Sequence, residues 1–178
     1  MKNEKILFIG SSIIKQWKTD YFFPNSINLG ESGLTSDQLL EKIELKSELF
    51  KNITKKYRNI VLYIGGNDII NTNNTCQEIY NNITKIIFLL QKYHNINKII
   101  VISILKSPDR TKLQNKKIDF INWKIKEFTQ MSNQNNILFY NPNYELSYTD
   151  NYLPDKIHLS EKGYYILSQK IQFFFNLY

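Results

Sequence analysis

The chain is poor in the residues that mark several protein classes. It has one cysteine, Cys76, so it has no internal disulfide and no Cys-rich metal cluster. It has two histidines, His94 and His158, which leaves few candidates for metal ligation or for proton transfer near neutral pH. Arginine occurs only at Arg58 and Arg110. No apolar run is long enough to cross a bilayer, and Met1-Lys2-Asn3-Glu4-Lys5 runs into an apolar strand with no signal-peptide core or small-residue cleavage site. The expectation is a cytoplasmic protein without a membrane span. There is no P-loop, no dinucleotide fingerprint, no internal repeat and no low-complexity linker.

What is abundant is apolar and aromatic. Of 178 residues, 42% are hydrophobic and 14% aromatic, enough for one substantial core, and residues 1–178 are expected to form one domain. The net charge is +7, but the lysines are scattered and phosphate-reading arginine is scarce. The bias towards Lys, Asn, Ile and Tyr suits an A·T-rich coding sequence as well as any anionic partner, so no nucleic-acid partner is expected.

The apolar pattern alternates between two periods. Runs near Lys5–Ile9, Ser26–Leu29, Asn59–Ile64, Lys98–Ser103 and Ile137–Tyr140 read as strands; the unbroken apolar run Ile6–Ile9 has the pattern of one covered on both faces, and Lys98–Ser103, rich in β-branched residues, reads as another buried one. Between them lie stretches with helical spacing. Leu39, Leu40 and Ile43 form one stripe, with Leu49, Phe50 and Ile53 either extending it or making a second helix. Ile79, Ile83, Ile86, Ile87 and Leu90 mark a helix over Gln77–Tyr93, and Ile118, Ile121, Ile125 and Phe128 mark another over Lys112–Met131. Ser160 caps a last helix running to about Asn176. Five strands alternating with helices predict an α/β fold, a parallel sheet with helices on both faces and right-handed crossovers.

In such a sheet, chemistry collects outside the carboxyl ends of the strands. The first strand ends in Gly10-Ser11-Ser12, the second in Asn28-Leu29-Gly30, and the third in Gly65-Gly66-Asn67-Asp68. The polar segment 141–154 leads to Asp155-Lys156-Ile157-His158. A hydroxyl becomes a nucleophile only when a base takes its proton. His158 is the better base, because His94 ends a helix on the connection that leaves the opposite edge. Asp155, three residues before His158, can hold one ring nitrogen. An oxyanion needs donors fixed in advance, and the backbone N–H groups of Ser12 and Gly30 and the side-chain amide of Asn67 are candidates. Taken alone, each residue also has a bland role: Ser as a cap, Gly as a turn former, Asn67 and Asp68 as an Asx-type turn, Asp155 as a turn residue. Trp17, Tyr21, Phe22 and Tyr152 could line a site or simply fill the core.

Four blocks, Gly10-Ser11-Ser12, Asn28 to Thr35, Gly65-Gly66-Asn67-Asp68 and Asp155-Lys156-Ile157-His158-Leu159, resemble in order those of the SGNH hydrolases, the GDSL esterase/lipase superfamily. Within it the chain is most similar to the compact acetylhydrolase branch, which includes the platelet-activating-factor acetylhydrolase catalytic subunits and bacterial carbohydrate esterases. The resemblance implies a three-layer α/β/α fold with a five-stranded, flavodoxin-like sheet of order 2-1-3-4-5. It implies Ser12 as nucleophile, His158 as base, Asp155 as its partner, and an oxyanion hole from Ser12, Gly30 and Asn67, with no metal or cofactor. The family's usual Asp before the nucleophile is Ser11 here.

The expected activity is that of a serine esterase on a small-molecule ester, with a short acyl group on a carbohydrate or other polar alcohol. Two rivals stand beside it: a thioesterase or lysophospholipase for longer chains, and a non-catalytic glycan-binding module on the same fold. Oligomeric state is not legible.

Overall fold

The computed structural model describes residues 4–70, 74–93, 96–131 and 136–176. His94, read above as a helix-terminal residue, lies outside them. Five parallel strands, β1 (Ile6–Gly10), β2 (Ser26–Gly30), β3 (Asn59–Tyr63), β4 (Lys98–Ile102) and β5 (Ile137–Tyr140), form one sheet in the order β2-β1-β3-β4-β5. The helices are α1 (Ser12–Lys15), α2 (Thr19–Phe22), α3 (Ser36–Leu45), α4 (Ser47–Lys56), α5 (Cys76–Lys92), α6 (Lys112–Met131) and α7 (Glu161–Phe175). The apolar stripe of residues 36–56 is therefore two helices, broken at Lys46. A single 3₁₀ turn at Thr149–Asn151 interrupts the otherwise irregular segment after β5.

The sequence alternation in β1 becomes a division of the core. Leu7 and Ile9 face one layer, with Leu62, Val101 and the buried stripes of α3, α5 and α6. Ile6 and Phe8 face the other, with Val61, Ile100, Trp17 and the α7 residues Tyr164, Leu167 and Ile171. The chain runs from β1 outward to β2 and then crosses back over β1 to β3. With right-handed crossovers, that reversal places helices on both faces.

The layer that contains Trp17 and α7 is pinned by polar contacts as well as apolar ones. Buried Trp17 donates its indole N–H to Ser168 Oγ at 2.9 Å, and Tyr164 donates its hydroxyl to the Ile13 carbonyl at 2.9 Å. Asn28 on β2 donates to the carbonyls of Ile14 and Trp17, at 2.7 and 3.1 Å. The Asn28 bonds tie β2 to the chain around α1, whose Ile14 and Trp17 carbonyls also accept the N–H groups of Trp17 and Thr19. Trp17 and Tyr152 are thus core residues. No described helix is long and apolar enough to cross a membrane.

Candidate active site

The parallel register aligns the strand ends. Gly10 lies opposite Gly30 on one side and Tyr63 on the other. Gly10 has φ +146°, and a Cβ built there would stand 1.8 Å from the Tyr63 carbonyl oxygen. Only glycine lets β1 turn sharply enough to start α1 at Ser12 while the Ser11 N–H donates to that same carbonyl at 3.1 Å. Ser12, half-buried, is the first residue of α1, where backbone N–H groups lack intrahelical acceptors.

The loop before α7 brings Asp155 and His158 to Ser12. It is closed by an antiparallel bridge between Tyr152 and Leu159, with the Leu153 N–H donating to the His158 carbonyl at 2.7 Å. Inside it Lys156 takes a left-handed conformation, φ +59°. The chain therefore curls over the Asp155 carboxylate. Oδ1 accepts the N–H groups of Ile157 and His158, each at 2.9 Å, and Oδ2 accepts His158 Nδ1–H at 2.7 Å. An ionised carboxylate only accepts, so the proton sits on Nδ1 and Nε2 is left as an acceptor. Nε2 lies 3.1 Å from Ser12 Oγ. The geometry aligns a hydroxyl, an imidazole and a carboxylate for proton removal from Ser12.

The hydrogen bonds from the His158 side chain and from the His158 and Ile157 N–H groups hold the Asp155 carboxyl down at about 2. An unperturbed Asp titrates near ~3.9. The folded state thus prefers the ionised form. Its stabilisation is complete above about pH 5 and is lost as pH falls through the unfolded value towards the folded one. The stability difference between the native chain and Asp155→Asn, followed by urea unfolding, is expected to be flat above about pH 5 and to shrink between roughly pH 4 and 2. Because the Asp155 side chain is 46% exposed, solvent screening keeps the effect small.

Asn67 follows β3 and donates from Nδ2 to the Leu34 carbonyl at 2.9 Å, which leaves its second amide N–H uncommitted. It lines a small cleft, about 20 Å³, together with Ser12, Gly66, Leu105, Ser107, Arg110 and Ile157. Asp68 does more than form a turn. It is buried and receives the Ser36 N–H at 3.0 Å and the Ser36 hydroxyl at 2.5 Å. It thereby ties the start of α3 to the β3–α5 loop, although burial pushes its pKa up. Nothing in the local sequence announces this contact, because Ser36 and Asp68 are 32 residues apart.

Gly30 does not match the expected donor role. On edge strand β2 successive N–H groups point to opposite sides. The Glu31 N–H donates to the Gly10 carbonyl at 2.9 Å, towards β1, and the Gly30 N–H points away and donates to Asn28 Oδ1 at 2.9 Å. Gly30 is needed for space instead, since a Cβ there would lie 2.2 Å from the Lys15 nitrogen. Gly33, in the same loop, has φ +76°, and its N–H makes no hydrogen bond among the described residues. Among the described residues no cluster of three or more His, Cys, Asp or Glu side chains is placed to hold a metal.

A family model for GDSL-like lipases and acylhydrolases matches residues 9–166. The chain belongs to the GDSL-like lipase/acylhydrolase family. It is a carboxylic ester hydrolase. Among solved structures, this hydrolase is similar to a GDSL-like lipase from Bacteroides thetaiotaomicron, with 25% identity, TM-score 0.77, and coverage of 96% of this chain and 87% of that one. It also resembles a lipase/acylhydrolase from Enterococcus faecalis (18% identity, TM-score 0.71, covering 94% and 93% of the two chains). A catalytic mutant of an acetylxylan esterase from Geobacillus stearothermophilus gives 17% identity and TM-score 0.72, covering 95% and 92%. The last two likenesses speak to the fold alone. No curated protein matches this hydrolase by sequence.

Two residues of the GDSL-like hydrolase's cleft, Ser107 and Arg110, were not singled out as site residues from the sequence. The available signal was that Arg110 is one of only two arginines and follows the β4 terminus.

Proposed function

We propose that the protein is a serine esterase that removes a short acyl group, acetyl above all, from a carbohydrate or other polar alcohol through an acyl-enzyme. The observation that carries this reading is the unbroken chain Ser12 Oγ, His158 Nε2, His158 Nδ1, Asp155 Oδ2, with links of 3.1 and 2.7 Å. In this scheme Ser12 Oγ attacks the ester carbonyl as its proton passes to His158 Nε2, and Asp155 stabilises the resulting imidazolium. The tetrahedral oxyanion is met by the Ser12 N–H and the free amide N–H of Asn67, with the Gly33 N–H, rather than that of Gly30, as third donor. Collapse breaks the bond to the alkoxy oxygen, which takes the proton from His158 and leaves as alcohol. Water, deprotonated by His158, then attacks the acyl-enzyme and releases the acid and Ser12.

The small cleft beside Ser12 supports a short acyl group. The acetylxylan esterase neighbour carries a name consistent with an acetylated sugar. A fluorophosphonate probe tests the nucleophile directly. The adduct is expected on Ser12, abolished in Ser12→Ala and strongly slowed in His158→Ala; labelling that survives in Ser12→Ala refutes the assignment.

One observation favours a longer acyl chain. A groove of about 730 Å³ lies between α1–α2 and the start of α7, lined by Tyr21, Phe22, Leu153, Leu159 and Tyr164. It borders the loop that carries His158. An acyl-length series of p-nitrophenyl esters separates the two readings. The expected optimum in kcat/KM is at two to four carbons, with a fall of about tenfold or more by eight; an optimum at eight or beyond favours the groove.

A further inference from the structure

We propose that Arg110, with Ser107, forms a recognition site for an anionic oxygen group, a carboxylate or phosphate, carried by the ester substrate close to the scissile bond. This rests on the esterase reading of the cleft and narrows its substrate class.

The placement comes first. Ser107 and Arg110 line the same cleft as Ser12 and Asn67. They lie on one turn, closed by the Arg110 N–H donating to the Ser107 carbonyl at 3.0 Å. That turn is held on three sides. Asn122 clamps the Ile104 N–H and carbonyl at 2.8 and 2.9 Å, Asn143 accepts the Lys106 N–H at 2.7 Å, and the Asp109 N–H reaches the Lys156 carbonyl in the Asp155–His158 loop. Arg110 Nη2 donates to the Gly66 carbonyl at 2.8 Å, one residue before Asn67. The guanidinium is thus fixed in direction, and a fixed donor fork loses little freedom when an anion arrives.

The satisfaction of these groups comes second. Arg110 has no carboxylate partner among the described residues, whereas Lys18, Lys42, Lys51, Lys85, Lys106 and Lys162 all do. Arg110 Nε and Ser107 Oγ are both buried without a hydrogen-bond partner. Ser107 is 4% exposed. A part-buried guanidinium whose own Nε lacks an acceptor, and a buried Ser107 hydroxyl without a partner, each carry a desolvation cost. An anionic oxygen group would supply the missing charge and acceptors, in the bidentate manner guanidinium favours. The chain's charge of +7 also favours the approach of anions.

The competing role for Arg110 is purely to position Asn67 through the Gly66 carbonyl, and selectivity separates the two. The probes are two matched pairs, p-nitrophenyl hemisuccinate against p-nitrophenyl butyrate (charge on the acyl side) and 4-acetoxybenzoate against 4-acetoxybenzamide (charge on the alcohol side). In one pair the wild type is expected to favour the anionic ester by about tenfold or more in kcat/KM, the preference shrinking with added salt. Arg110→Gln is expected to bring that ratio to about one, and Ser107→Ala to lower it partway. The pair that responds tells which side of the ester carries the charge.

A ratio near one in both pairs for the wild type overturns the proposal. So does a ratio unchanged in Arg110→Gln, or an equal loss on charged and neutral esters, which is the signature of Asn67 positioning. Calorimetric titration of Ser12→Ala with inorganic phosphate reads the anion site without turnover. Binding weakened at least tenfold by the added Arg110→Gln substitution supports it even if no ester is hydrolysed; no binding to the Arg110-bearing protein counts against it.

Discussion

Alanine at Ser12 or at His158 is expected to lower kcat for a short-chain ester by about 10⁴- to 10⁶-fold. The size follows from the role proposed for each group. On that mechanism, without Ser12 Oγ there is no acyl-enzyme, and only positioning and the oxyanion donors remain. Without His158 the hydroxyl keeps its proton, and nothing returns a proton to the leaving alcohol. In the proposed mechanism the two act as one unit, so the double variant is expected within a few-fold of the worse single variant, not at the product of the two losses. Asp155→Asn keeps an acceptor facing the ring but permits the wrong tautomer, and is expected to lose about 10⁴-fold. Saturable turnover of p-nitrophenyl acetate by the three variants and the wild type checks this. Activated esters acylate many protein nucleophiles slowly, so the comparison with Ser12→Ala is what separates turnover from background. Retention of more than a tenth of the wild-type kcat in Ser12→Ala or His158→Ala sinks the assignment.

Alanine at Gly10 is expected to cost about 4 kcal/mol or more, enough to unfold much of the protein. Two penalties combine there. The residue has φ +146°, open essentially to glycine alone, and a Cβ would meet the Tyr63 carbonyl at 1.8 Å. That carbonyl belongs to the neighbouring strand of the central sheet and accepts the Ser11 N–H, so it cannot move without opening the β1–β3 pairing. Gly33→Ala is the control. Its φ is +76° but nothing lies within 4 Å of the added Cβ, so the cost reduces to the left-handed penalty, about 1–2 kcal/mol. Urea unfolding of the two variants measures the contrast. Equal costs would mean that the close packing of Gly10 against β3 does not matter to stability.

Comparison of sequence and structure separates what is local from what is not. All five strands lie within one residue of their expected limits, and α6 and β5 coincide with them. The central strands announce themselves because a fully buried strand is a short continuous apolar run, and α6 because a half-buried helix repeats every three to four residues; edge strand β2 is only part-buried. The break at Lys46 was not legible, since apolar residues continue on both sides of it. Asp155 and His158 were legible as a pair because three residues separate them and one turn brings them together. The engagement of Gly30 was not legible, because the direction of an N–H on an edge strand depends on its register with the neighbour. Arg110 was hidden for a similar reason: its partner, the Gly66 carbonyl, is 44 residues away and has no side-chain signature.

The sequence by itself determined the alternation of strands and helices and the placement of Ser12 and Asn67 at one sheet edge, because periodicity and parallel topology are properties of the chain's order; the tertiary structure decided how the segment after β5 delivers Asp155 and His158 there. Only the tertiary structure decided which donors are free at that edge. A hydrogen-bonding group is available only when no neighbour has taken it, and packing between distant segments decides that the Gly30 N–H is held while, among the described residues, the Gly33 N–H, Ser107 Oγ and Arg110 Nε are not.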